Sequence, residues 1–205
     1  MIAIIDYGVG NLRSVQKAFE ARGHAAVITS DADTIRAASH VVLPGVGAFG
    51  AAVDTLRETG LEPVALEAAR SGRPFLGICV GMQMLFDASE EMGEHRGLGL
   101  IPGRVVRFDP GASGTKIPQI GWNSLELRGD SPLMRGLPDP PMAYFVHSYK
   151  CVPEDPASIS AITEFCGPYA SAVSVGSIHG VQFHPEKSSD TGLKLLDNFA
   201  RCAHV

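Results

Sequence analysis

No apolar run in this chain of 205 residues approaches the roughly 18 residues that a membrane-crossing helix needs. The opening MIAIIDYG also lacks the basic and long apolar regions of a secretory signal. A membrane or exported protein is therefore not expected. Positive charge is not in excess either. Lys and Arg number 17 against 22 Asp and Glu, a net charge of −5, which argues against nucleic acid or an anionic membrane as the main partner. The four cysteines, Cys79, Cys151, Cys166 and Cys202, form no C-x-x-C pair and no His–Cys zinc spacing. Scattered thiols fit a reducing cytoplasm better than a disulfide scaffold, and Cys151, Cys166 and Cys202 are assigned to packing. Repeats, low-complexity tracts and linkers are missing as well. What remains is one domain, residues 1–205, long enough for a full core, with 45% hydrophobic and 19% charged residues as in an ordinary soluble protein.

The first half alternates short apolar runs with helical stretches. IAII, AAVI, HVVL and PFLGI read as strands. NLRSVQKAFEARG, the stretch through Arg57, the stretch from Leu61 to about Ser71 and VGMQMLFDAS read as helices. Runs apolar on both faces and separated by helices predict a parallel sheet covered on both sides. In the second half GRVVRF, SLEL, MAYFVHSY, SISAIT and SAVSVGSIHGVQF are short and β-branched, and read as mostly antiparallel strands. A last helix, TGLKLLDNFARCA, carries an apolar stripe at Leu193, Leu196, Phe199 and Ala200. The fold class is α/β, one open mixed sheet flanked by helices.

Within PFLGICVGMQ, Cys79 stands between Gly77 and Gly81 at the end of an apolar run. G-x-nucleophile-x-G is the form of a nucleophile elbow, in which a strand turns sharply into a helix and glycines give the backbone clearance. The helix N-terminus favours a thiolate there. The pentapeptide alone is equally compatible with a small hydrophobe in a core strand. A thiol nucleophile needs a base, and the base an orienting group. His24, His40, His95 and His204 read as solvated or structural, and His147 and His179 as core or edge residues. His184 heads His184-Pro185-Glu186; in an extended chain residues two apart share a side, so Glu186 can reach the ring. An isolated H-x-E would be a chance surface pair. LPGVGAFG, with Gly45 and Gly47 flanking Val46, offers backbone N–H groups suited to an oxyanion or a carboxylate, or else is an ordinary strand-to-helix turn. Gln83 is the polar residue after the elbow, among Met82, Met84 and Phe86, which read as packing. All three features fall at strand ends, where open α/β sheets bind ligands. Together they point to a Cys-His-Glu site.

PGVG, GICVGMQ and GVQFHPE, in that order, resemble the blocks of class I (triad-type) glutamine amidotransferases, whose fold is flavodoxin-like. DYGVGNLRSV, PQIGWN, YFVHSY and HPEKS extend the resemblance nearly end to end, to the glutaminase subunits of imidazole glycerol phosphate synthase. The resemblance implies that Cys79 attacks the glutamine amide, that His184 carries the proton and that Glu186 orients His184. The Val80 N–H and one from Gly45–Gly47 would hold the oxyanion. Gln83, Val46 and the backbone of His147, Ser148 and Tyr149 would fix the substrate, with no metal or organic cofactor. Val80 stands where leucine is frequent in the family, a mild departure because that position acts through its backbone.

The implied partner is a TIM-barrel cyclase subunit, which takes the ammonia and forms imidazole glycerol phosphate and aminoimidazole carboxamide ribotide for histidine biosynthesis in the cytoplasm. Asn11, Trp122, Tyr144 and Lys187 are expected at that interface, although core packing suits Trp122 equally. Reorientation of the Val46 peptide between its two glycines would let the partner switch the oxyanion donor, leaving the isolated subunit a poor glutaminase. A stand-alone γ-glutamyl hydrolase, the glutaminase subunit of pyridoxal phosphate synthase and an inactive glutaminase-like module are the alternatives.

Overall fold

The computed structural model describes residues 1–111 and 114–204; the final residue of the expected 1–205 domain lies outside them. Ile2–Ile5 forms β1, Leu12–Glu20 α1, Ala26–Thr29 β2, Ala32–Ala37 α2 and His40–Gly45 β3. Phe49–Glu58 (α3) and Glu62–Arg70 (α4) lead to Phe75–Cys79 (β4) and Val80–Met84 (α5). Phe86–Ser89, His95–Arg96, Ile101–Arg107, Gln119–Ser124 and Glu126–Leu127 follow as β5 to β9. Met142–His147, Tyr149–Pro153, Ile159–Glu164, Pro168–Val175 and Ile178–Val181 are β10 to β14, and Ser189–Ala200 is α6.

Every residue of β1, β3 and β4 is buried, so these strands lie in the middle of a covered sheet and need apolar side chains on both faces. The order β2-β1-β3-β4-β14 is parallel throughout, the 2-1-3-4-5 arrangement of the flavodoxin-like sheet with β14 in fifth place. Beyond β14 the sheet becomes mixed. β13, β11 and β7 join antiparallel, β5 parallel to β7, and β6 antiparallel to β5. A separate two-stranded ribbon pairs β8 with β10. A single cluster of buried side chains runs from Ile2 to Phe199.

Four expected elements differ. SLEL breaks at Leu125, its first residue ending β8 and its last two forming β9. VGMQMLFDAS is not one helix: α5 ends after five residues, and Phe86–Ser89 pairs with β7, because the helical and strand patterns coincide in so short an apolar run. MAYFVHSY breaks at Ser148, giving β10 to the ribbon and β11 to the main sheet. SAVSVGSIHGVQF folds as a hairpin, β13 to β14, turning at Gly176 with φ +56°. In α6, Leu195 is fully buried alongside Leu196 and Phe199, while Leu193 is half-buried.

Candidate active site

Cys79 is the last residue of β4, in register with Gly45 at the end of β3. It has φ 56° and ψ −114°, a conformation costly for a residue with a side chain and characteristic of functional strain. The neighbouring glycines are needed for space. A Cβ on Gly81 would meet the Leu43 carbonyl oxygen at 1.9 Å, one on Gly77 the Gly81 oxygen at 2.6 Å, and one on Gly45 the Gly81 nitrogen at 2.7 Å. The backbones of β3, β4 and α5 thus touch directly, and the thiol is displayed on the turn.

His184 lies three residues past the end of β14, and Pro185–Lys187 is a turn of 3-10 helix. The His184–Glu186 contact arises from this tight turn, not from the extended chain expected. Glu186 Oε1 is 2.9 Å from His184 Nδ1, and the two side chains are 4% and 0% exposed. The turn is held from several sides. Ser188 Oγ donates to the His184 carbonyl (2.6 Å), the Tyr144 N–H donates to Ser188 Oγ (2.9 Å), and the His184 N–H donates to the Tyr144 carbonyl (3.0 Å). A Cβ on Gly192 would meet the Pro185 oxygen at 1.8 Å, so glycine lets the first turn of α6 press against this segment.

Protonation separates the buried histidines. Burial opposes a charge on His184, but hydrogen bonds to Cys79 and Glu186, and the charges of both, outweigh it and raise the imidazole from 6.5 to about 9. Burial lowers His147 and His179 to about 4, so both stay neutral. Of these three, only His184 is held toward its charged form.

A cleft of about 370 Å³ opens over Cys79 and His184 and is lined by Val46, Gly47, Val80 and Gln83 together with His147, Ser148 and Tyr149. That volume suits a small-molecule site. Gly47 has φ +86° and nothing within 4 Å of a Cβ placed on it. Gly45, by contrast, is buried in β3 and packed against Gly81. The turning freedom of the PGVG segment therefore resides at Gly47, and Gly45 serves close packing. As the first residue of α5, Val80 has an N–H without a partner inside the helix. Gln83 does face the cleft, and its Nε2 donates to the Tyr149 carbonyl (3.3 Å) and to Gln182 Oε1 (3.1 Å).

Asn11, expected at a partner interface, also reaches the candidate triad. It precedes α1 as the N-cap but makes no side-chain capping bond; its Nδ2 donates to Glu186 Oε1 at 3.2 Å. An Asn at that position ordinarily stabilises its helix, so its use here favours the carboxylate over α1. Glu186 Oε2 is buried without a partner among the described residues. Trp122 is not a core residue: it is 52% exposed and packs edge-on against Tyr144. Lys187 Nζ lies 5.9 Å from the centre of the Tyr144 ring and also borders the cleft. Trp122, Tyr144 and Lys187 thus form one surface patch. Ile120 and Val146, directly opposed on β8 and β10, are exposed beside it.

Sequence reasoning passed over Glu91, Gln182 and this Ile120–Val146 pair. Glu91 borders the cleft and accepts from the Phe49 N–H at 2.7 Å. Its signal was a carboxylate in a charged loop, without a helix or motif to mark it. Among the described residues no group of three His, Cys, Asp or Glu is placed to hold a metal ion, and no helix is long and apolar enough to cross a membrane.

The model of the class-I glutamine amidotransferases matches residues 3–202. The imidazole glycerol phosphate synthase subunit HisH of Chlorobium luteolum is 51% identical over 203 residues, covering 98% of this chain and 100% of that one. The protein of the same name from Deinococcus radiodurans is 48% identical over 200 residues, covering 98% and 93%. Among solved structures, one described as a glutamine amidotransferase aligns with a TM-score of 0.76 at 18% identity, over 98% of this chain and 100% of that one. PurLQS from Thermotoga maritima aligns at 0.75 and 19%, over 97% and 96%. These two speak for the fold. The chain belongs to the class-I glutamine amidotransferases and, within them, to the family of imidazole glycerol phosphate synthase HisH subunits.

Proposed function

We propose that this chain hydrolyses glutamine to glutamate and ammonia for an imidazole glycerol phosphate synthase, with Cys79 as nucleophile. The observation that carries the reading is that Cys79 and His184 line one small-molecule cleft, with the buried Glu186 carboxylate 2.9 Å from the far ring nitrogen of His184. Cys79 as thiolate attacks the side-chain amide carbon of glutamine. The resulting oxyanion meets the Val80 N–H and one from the Val46–Gly47 segment, each such donor being worth about 3 kcal/mol in the transition state. His184, carrying its proton, gives it to the departing nitrogen, and the C–N bond breaks. The γ-glutamyl thioester that remains is hydrolysed by water, which His184 deprotonates. Glu186 keeps the ring oriented and stabilises its charge. Glu91 offers the α-ammonium group of glutamine a carboxylate, and the His147–Tyr149 segment lines the same cleft. The four cysteines, all unpaired, suit a cytoplasmic setting.

Ammonia set free in neutral water becomes mostly ammonium, so the reading includes a partner that consumes it. We assign its docking surface to Trp122, Tyr144 and Lys187 with the exposed Ile120 and Val146, a patch whose centre is apolar and aromatic as interface anchors are. The partner is a TIM-barrel cyclase, joined as a heterodimer. The patch is one hydrogen bond from the base, since the Tyr144 carbonyl accepts from the His184 N–H. Turning the peptide at Gly47 gives such a partner a second route to the oxyanion site.

Glutamate release is the test, measured for the chain alone, with empty cyclase and with cyclase plus its nucleotide. Low activity alone and a large rise with the loaded cyclase are expected. Full activity in the isolated chain would favour a stand-alone γ-glutamyl hydrolase, and none under any condition an inactive module. Substituting Trp122 and Lys187 should weaken the complex.

A further inference from the structure

Gln182 has no part in the chemistry just described, yet it is fully buried and its Nε2 lies 3.9 Å from Cys79 Sγ. Which end of an amide faces a neighbour follows from the hydrogen bonds around it, and here the surroundings decide. The Tyr149 carbonyl oxygen can only accept. His147 Nδ1 stands 2.7 Å from it and Gln83 Nε2 3.3 Å. Gln83 must therefore present its NH2 end at this point. The second hydrogen of that NH2 group goes to Gln182, 3.1 Å away, and only the carbonyl end of Gln182 can receive it. The NH2 end is left to face the sulfur.

We infer that Gln182 is a further catalytic residue, whose side-chain N–H donates to the Cys79 sulfur and holds it as a thiolate, in an orientation set through Gln83 by the Tyr149 carbonyl. A hydrogen bond to the charged form favours that form, and a thiolate accepts better than a thiol. The donor acts twice in a cycle. It supports the thiolate that attacks glutamine. It also receives the sulfur again when water has attacked the thioester, the C–S bond breaks and the electron pair returns to sulfur. His184 changes protonation in each half of the cycle, so a second donor that never does complements it.

The titratable groups around Sγ are His184 after β14, Tyr7 after β1 and Cys151 in β11. Glu91, Lys187, His147 and Tyr149 share the cleft. Replacing Gln182 changes the charge of none of them. Any shift in Cys79 reactivity then reports the amide.

The inference rests on Cys79 being the nucleophile, and the unsubstituted chain tests that separately. The experiment is alkylation by iodoacetamide across pH, followed by mass spectrometry of the Cys79 peptide in the full chain. In Gln182→Met, similar in size and without a donor, the pH of half-maximal labelling should rise by about one unit, so that labelling on the acid side slows about tenfold. Gln83→Met keeps Gln182 but removes the donor that orients it, and should shift the profile the same way by less. Lost packing alone would lower the melting temperature and leave the profile in place. Unshifted profiles in the folded variants overturn the inference. Absence of Cys79 labelling in the unsubstituted chain overturns the nucleophile assignment and this inference with it.

Discussion

Gly81→Ala should disable the site while leaving a folded chain. The added methyl would stand 1.9 Å from the Leu43 carbonyl oxygen, 3.0 Å from the Leu43 carbonyl carbon and 3.3 Å from that of Pro44. All three are backbone atoms of β3, in the middle of the sheet, and none can swing aside as a side chain would. If an ordinary C···O contact is about 3.3 Å, α5 and β3 must separate by about 1.4 Å. Overpacking of that kind costs about 1–3 kcal/mol, which a domain of this size survives. The site does not, because the displaced unit carries the strained Cys79 turn and the Val80 N–H. A misplacement of about 1 Å can cost about a hundredfold in rate. The assay is kcat/KM for glutamine in the cyclase complex, with thermal unfolding alongside. Gly176→Ala is the control: φ is +56° with nothing within 4 Å, so it should lose about 1 kcal/mol to backbone strain and keep its turnover. A Gly81→Ala chain as active as the unsubstituted one would refute the close-packed elbow.

Three further outcomes follow from contacts at or near the site. Glu186→Gln should reduce turnover, but less than His184→Ala, because orientation and charge are lost while the base remains; equal turnover in Glu186→Gln and the unsubstituted chain would end the orienting role. Asn11→Ala removes a donor to a buried carboxylate, a bond worth about 1.5–3 kcal/mol, so turnover of the isolated chain should fall about tenfold; a change confined to cyclase affinity would make Asn11 a docking residue only. His179 is buried and lowered from 6.5 to about 4, so its neutral form contributes stability that is fully present above pH 6.5 and is lost as pH falls through 4. Between neutral pH and about pH 5 this amounts to about 2 kcal/mol. Urea unfolding of His179→Gln should therefore show a smaller acid loss than the unsubstituted chain, and parallel losses would contradict the assignment.

The elbow was legible because its demands are local: a strand end, a reactive side chain and glycines where backbones touch all lie within Gly77–Gly81. The parallel core was legible for a similar reason, since β1, β3 and β4 are apolar on both faces. His184 and Glu186 were paired correctly from spacing, but by the wrong geometry, as a 3-10 turn brings i and i+2 together here. The end of α5 was hidden, because only pairing with β7 makes Phe86–Ser89 a strand. The contact of Asn11 with Glu186 was hidden for want of any sign that α1 goes without its side-chain cap. Its partner Glu186 is 175 positions away, and Gln182 meets Cys79 across 103. Such contacts are created by sheet order, and no local pattern encodes them. Trp122 was ambiguous for a related reason: only the ribbon's pairing places it outside the core.

The most direct test of the account is to trap the thioester. The cyclase complex turning over glutamine is quenched in acid and its peptides are weighed. A γ-glutamyl adduct should appear on the Cys79 peptide, be lost in Cys79→Ala, and be missing from the peptides of Cys151, Cys166 and Cys202. Turnover that persists in Cys79→Ala, or an adduct on another cysteine, would contradict the account.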